Sequence, residues 1–174
     1  MKKMNNKGFS LVELIIVIAI MAILAGALAP ALIKYIAKSR RSSDANNCGT
    51  IQSSMQTATS DEDGEAAFIA LQDGKWHKMP ASGGSVNTGD STYWSVVDAD
   101  LSGGLDAFQS AKTNKLAVAK TKVTTPTYVF MVSTAGDIHV GISEGTGKAV
   151  YECVPNLDEE MGGKSGTQTG ATCN

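Results

Sequence analysis

Gly8-Phe9-Ser10-Leu11-Val12-Glu13-Leu14-Ile15-Ile16-Val17-Ile18-Ala19-Ile20-Met21-Ala22-Ile23-Leu24-Ala25-Gly26-Ala27-Leu28-Ala29-Pro30 is the stretch on which the fold of this 174-residue chain turns. From residue 9 to residue 33 the side chains are almost wholly apolar, and Glu13 carries the one charge. Such a run exceeds the roughly 20 residues that an α-helix needs to cross the hydrocarbon core of a bilayer, so residues 9–33 read as a membrane segment. Ahead of it stand Lys2, Lys3 and Lys7 with no acid, as expected of a tail held on the cytoplasmic side. Lys34, Lys38, Arg40 and Arg41 lie just past the other end, so charge by itself does not orient the span.

A short basic leader ending in Gly8, the junction from Gly8 to Glu13, the apolar span and Pro30 together closely resemble the prepilin signature shared by type IV pilins and type II secretion pseudopilins, over residues 1–50. Ser10 and Val12 are tolerated variants of that signature. The resemblance implies that a membrane prepilin peptidase cuts after Gly8 and methylates the new amino terminus, Phe9. It further implies a structural subunit and not an enzyme. The expected partners are copies of the chain and minor pilins in a helical filament, the peptidase, a pilus assembly platform and the cytoplasmic membrane before assembly. The expected location is a single pass through that membrane with the head outside, then a pilus at the cell surface.

The physical reading of the same residues agrees. A carboxylate inside a membrane helix costs about 2.5 to 3.5 kcal/mol by insertion scales, so Glu13 needs a cation. Cleavage after Gly8 creates one, because the new α-amino group of Phe9 lies one helical turn from Glu13 and can equally reach Glu13 of a neighbouring copy. The family uses the neighbour pairing to set the axial stagger of its filament. An ordinary signal peptide competes, with Ala27-Leu28-Ala29 as its cleavage site. Against it, Pro30 would follow the cut, Glu13 interrupts the apolar core, and helix-compatible sequence continues beyond. Pro30 removes the hydrogen bond to the carbonyl of Gly26, and Gly26 adds flexibility, which predicts a bend or local unwinding between them.

Past the span, residues 34–59 continue as an amphipathic helix. Cys48, Ile51, Met55 and Ala58 recur at spacings of three and four and share one face. A helix from residue 9 to residue 59 would extend roughly 75 Å at about 1.5 Å per residue. Ser60-Asp61-Glu62-Asp63 reads as the start of a short helix that carries Ala66, Phe68, Ile69 and Leu71 and closes near Gly74. Residues 75–125 read as a connector, followed by strands over 127–133, 137–143 and 148–154. The expected fold is α+β, a long amino-terminal helix packed on a small antiparallel sheet. Its organisation is a leader over 1–8, a membrane or filament-core half over 9–33, an amphipathic half over 34–59 and a head over 60–174.

Cys48, Cys153 and Cys173 are an odd count, which fits one disulfide and one free thiol in an oxidising exterior. Cys48 falls on the apolar helix stripe and reads as a buried core residue. A bridge between Cys153 and Cys173 would pin a polar tail, stabilising it by about 3 kcal/mol, and resembles the carboxy-terminal disulfide loop of many pilins. A bridge from Cys48 to either partner, or none in an anaerobic setting, stays open.

Other motifs are weaker. Gly141-Ile142-Ser143-Glu144-Gly145 matches the nucleophile-elbow string, but both histidines, His77 and His139, precede the serine and a hairpin turn explains it better. Asp98, Asp100, Ser102 and Asp106 open like a calcium loop, yet Gln109 stands where a bidentate Glu should close it, so no metal is assigned. Lys112, Lys115, Lys120 and Lys122 form the basic cluster of the head. Removing the three leader lysines from 15 basic residues leaves 12 against 17 acids, and no specific nucleic acid is expected as a partner. No zinc spacing or phosphate loop appears, so no cofactor is expected. The reading favoured is a pilus subunit. The alternatives are a pseudopilin of a type II secretion or competence system, which calcium at Asp98 and Asp100 would favour, and a membrane-tethered or secreted domain outside any filament.

Overall fold

A computed structural model describes residues 8–87, 89–163 and 172–173, and the leader apart from Gly8 lies outside the described residues. Helix α1 (Leu11–Thr59) is unbroken, and the chain divides into two units, one ending at Ile36 and the other beginning at Ala37.

In the first unit Leu, Ile, Val, Met and Ala dominate, and every residue of α1 up to Ile36 is exposed. The apolar surface of this segment finds no cover within the unit, so its burial has to come from lipid or from other molecules. By length and composition α1 is able to cross a membrane. The expected unwinding between Gly26 and Pro30 is absent: the helix continues through Pro30. A proline deletes one backbone donor, while the turns on either side keep theirs, and a side chain added at Gly26 would meet nothing within 4 Å.

In the second unit the predicted stripe is the helix's buried face, with Cys48, Ile51, Met55 and Ala58 all fully buried. Helix α2 (Glu62–Ala70) follows. A sheet of four antiparallel strands comes next in the order β1-β2-β3-β4, made of β1 (His77–Lys78), β2 (Thr127–Val132), β3 (Ile138–Ser143) and β4 (Val150–Val154). Tyr128 faces Ile142 and Phe130 faces Val140 across β2 and β3. Because side chains alternate along a strand, this places Tyr128, Phe130, Val140, Ile142 and Cys153 on the face that packs against α1. The other face carries a smaller cluster of Trp76, Val129, Val150 and Cys173. A fourth strand at the edge adds to the three that were expected, and the α+β architecture stands as expected.

The connector holds more than a loop. Helix α3 (Ser91–Asp100) buries Tyr93, Trp94 and Val97, and a 3-10 turn (Leu105–Phe108) follows. Tyr93, Trp94, Val97 and Leu101 lie at helical spacing behind Asp90, a signal that the β-branched and aromatic content of the segment obscured. The Tyr93 hydroxyl donates to the carbonyl of Met55 at 2.8 Å, tying α3 to α1, and burial raises its pKa. Trp94 meets Phe130 edge-on with ring centroids 4.9 Å apart.

Candidate functional site

The amino-terminal junction precedes the first turn of α1. Gly8, Phe9 and Ser10 have no regular secondary structure, and Phe9 is 88% exposed. The Gly8–Phe9 bond therefore lies outside the helix. The Ser10 N–H donates to Glu13 Oε2 at 2.9 Å, and the Ser10 carbonyl accepts from the Leu14 N–H at 3.2 Å. This is the reach-back half of a capping box, in which a glutamate three residues on satisfies a backbone donor the helix leaves over. The signature Ser10-x-x-Glu13 stood in the sequence, where Glu13 was assigned only an amine partner. Gly26 and Pro30 sit further along α1, and about 1.5 Å of rise per residue keeps them away from Glu13.

Asp44 is a structural anchor that sequence reasoning missed. It is fully buried on α1. Its Oδ1 accepts the Tyr128 hydroxyl at 2.7 Å, and its Oδ2 accepts the Thr113 N–H and hydroxyl, both at 2.6 Å. The Lys112 N–H donates to both oxygens at 2.9 Å. A buried carboxylate without a cation persists only where donors surround it, so Asp44 holds the connector and β2 against α1. Burial, followed by the bond to Asp44, raises the pKa of Tyr128.

Cys48 and Cys153 carry free thiols, and both members of the expected pair, Cys153 and Cys173, are buried. The pleat separates them: Cys153 belongs to the cluster facing α1, whereas Cys173 lies with Trp76 and Val150 on the opposite face. Cys153 instead lies within hydrogen-bonding reach of Cys48, whose thiol pKa is raised mainly by burial and next by this neighbour. Peptide mapping of the protein after exposure to oxidised glutathione is expected to find Cys48 joined to Cys153; a Cys153–Cys173 peptide would show that the carboxy-terminal segment can leave this arrangement.

The remaining motifs resolve into structural uses. Asp98 accepts from the Ser82 hydroxyl at 2.6 Å and the Leu105 N–H at 2.7 Å, and these bonds, in that order, lower its pKa. Asp106 accepts the Ser82 N–H at 3.0 Å, whereas Asp100 accepts from Ser54 of α1 at 2.7 Å, so Asp100 has a different partner from the other two carboxylates of the calcium-like string. Ser143 donates to the Gly145 carbonyl at 3.2 Å within its hairpin, while His139 pairs with Glu152 at 2.6 Å.

Comparison with known proteins adds to this geometry. Residues 3–29 match the family described as the prokaryotic N-terminal methylation motif. The chain carries the N-methylation motif of a class III prepilin leader. The match contains Gly8, Phe9, Glu13 and Gly26 and stops one residue short of Pro30. The chain is distantly homologous to the "Type IV major fimbrial protein FimA" of Dichelobacter nodosus, with 35% identity over 91 residues, which is 52% of this chain and 56% of that protein. The chain thus spans little more than half the length of that relative. No solved structure matches the chain significantly.

Proposed function

We propose that this prepilin is a structural subunit of a type IV pilus. On this reading the leader, residues 1–8, is removed after Gly8, Phe9 becomes the methylated amino terminus, and subunits polymerise through the apolar half of α1. The observation that carries it is the conjunction at one end of α1. There a bond accessible to a peptidase precedes an exposed apolar segment whose single charge, Glu13, lies one turn from the amine that cleavage would release. Before assembly the same segment would sit in the cytoplasmic membrane with the head outside, and afterwards in the core of a surface filament.

Exposed apolar side chains from Leu11 to Ile36 support self-association, since burying them against neighbours gains roughly 25 cal/mol per Å² of area removed from water or exchanges lipid contacts for closer packing. Gly26 and Pro30 have a place in this reading as the weak point of the helix. The bond that Pro30 cannot make leaves a turn that can extend when a subunit enters the filament.

Intact-mass measurement of the protein from cells that carry the peptidase is expected to give a chain beginning at Phe9 and heavier by one methyl group. Gly8→Leu is expected to keep the leader attached and to leave no filaments. A wild-type chain beginning at Pro30 would instead identify a secretory signal and remove the filament reading.

A further inference from the structure

Basic residues are placed unevenly over the head. Outside residues 38–41 and 112–122 the unit that begins at Ala37 has only Lys75, Lys78, Lys148 and Lys164, while those two segments hold seven Lys and Arg and no acid. The fold brings them together. Arg41 Nη1 donates to the carbonyl of Lys115 at 2.7 Å, and Lys112 Nζ lies 3.4 Å from the hydroxyl of Ser43.

The second segment forms a braced loop. Lys115 pairs with Lys122, the Leu116 N–H donates to the Thr121 carbonyl at 3.0 Å, and the Val123 N–H to that of Asn114 at 3.1 Å. Glu160 supports the tip from within. Its carboxylate accepts the N–H groups of Val118 and Ala119, both at 2.8 Å, and its carbonyl accepts that of Ala117 at 2.9 Å. The acids in contact with the two segments, Asp44 and Glu160, are buried and turned toward backbone donors, while Arg40, Lys112, Lys115, Lys120 and Lys122 are exposed. Val118, at the tip, is 62% exposed among them. In the chain, Arg40 comes seven residues after Ile33, where the apolar run ends.

We propose that this loop and the adjoining turn of α1 bind the headgroups of anionic phospholipids while the subunit is held in the membrane. Clustered Lys and Arg beside the end of a membrane span are drawn to the negative potential of acidic lipids, and Arg can grip a phosphate with two donors. An apolar tip ringed by lysines suits the boundary between headgroups and acyl chains, where Val118 enters the apolar layer and the ammonium groups stay at the phosphates. An acidic face on another protein would use the lysines and leave Val118 without a role. The proposal rests on reading residues 9–33 as membrane-spanning.

The test is amide hydrogen exchange on the full chain reconstituted in nanodiscs of phosphatidylcholine alone and of phosphatidylcholine with phosphatidylglycerol. Exchange over residues 115–122 is expected to slow at least about fivefold in the anionic discs, and to return to the neutral-disc rate at about 0.5 M salt. The variant K115Q/K120Q/K122Q, altered at exposed side chains, is expected to lose the difference while the β2 and β3 amides keep their protection. Equal exchange in both discs, with the chain inserted, would overturn lipid binding alone. Failure to insert in either disc would overturn the membrane reading along with it. Protection that arises only on filament formation would assign the loop to a neighbouring subunit and likewise overturn the proposal.

Discussion

Glu13→Ala is expected to leave the prepilin in the membrane and to lower filament yield by at least about tenfold, which corresponds to about 1.4 kcal/mol per subunit added. Insertion depends on the apolar run, and removing a carboxylate makes that run easier to insert. In the proposed filament, assembly depends on what happens to the positive charge of the Phe9 amine that processing would release. Inside a filament core that ammonium lacks water, and a buried charge left without its partner costs about 3 to 5 kcal/mol. The capping bond from Ser10 to Glu13 complicates the alanine variant, because it removes a helix cap as well as a charge. Glu13→Gln separates the two, since its amide oxygen can still accept from Ser10 while its charge is gone. Immunoblots of sheared filaments against membrane fractions are expected to show both variants failing alike. A glutamine variant that assembles normally would assign Glu13 to helix capping and sink the ion-pair mechanism.

Asp44→Ala is expected to destabilise the head by about 3 to 5 kcal/mol, a loss comparable with breaking a buried ion pair. The substitution strands the Tyr128 hydroxyl and the donors of Lys112 and Thr113 in a site that excludes water. Asp44→Asn preserves the size of the side chain but brings an N–H₂ group against those donors, so it is expected to recover only part of the stability. Unfolding of the full chain in detergent, followed by tryptophan fluorescence from Trp76 and Trp94, measures both. A shift in Tm of roughly 10 °C is expected for the alanine variant. An unchanged Tm would show that the connector is held to α1 by its apolar contacts.

The two expectations concern different halves of one helix. On the proposed function, the first tests a group whose partner would come from processing or from another subunit, and the second tests a group whose hydrogen-bond partners lie within the head. Loss of filaments by the Asp44 variant would follow from an unfolded head, whereas loss by the Glu13 variant is expected with the head intact. Comparing tryptophan fluorescence of the two membrane-held proteins therefore distinguishes failure to fold from failure to assemble.

What the sequence determined by itself was local. The apolar run behind Gly8-Phe9 and the stripe of Cys48, Ile51, Met55 and Ala58 were legible because helical periodicity is carried by neighbours three and four residues apart. The strands at 127, 138 and 150 were legible from alternation and from the turns between them, although alternation does not say which face meets α1. Tertiary structure decided what depends on distant partners. The two-residue β1 exists only because His77 and Lys78 find Phe130 and Val129 on β2. Asp44 is stable in the core only because donors from residues 112, 113 and 128 converge on it. The polar tail that a bridge would pin, and the resemblance to the carboxy-terminal loop of pilins, pair Cys153 with Cys173, yet the pleat turns Cys153 toward Cys48 and leaves Cys173 in the cluster on the other face of the sheet. Separation along the chain carries no information about the side of a sheet on which a residue lands, and for these residues that side determined the chemistry.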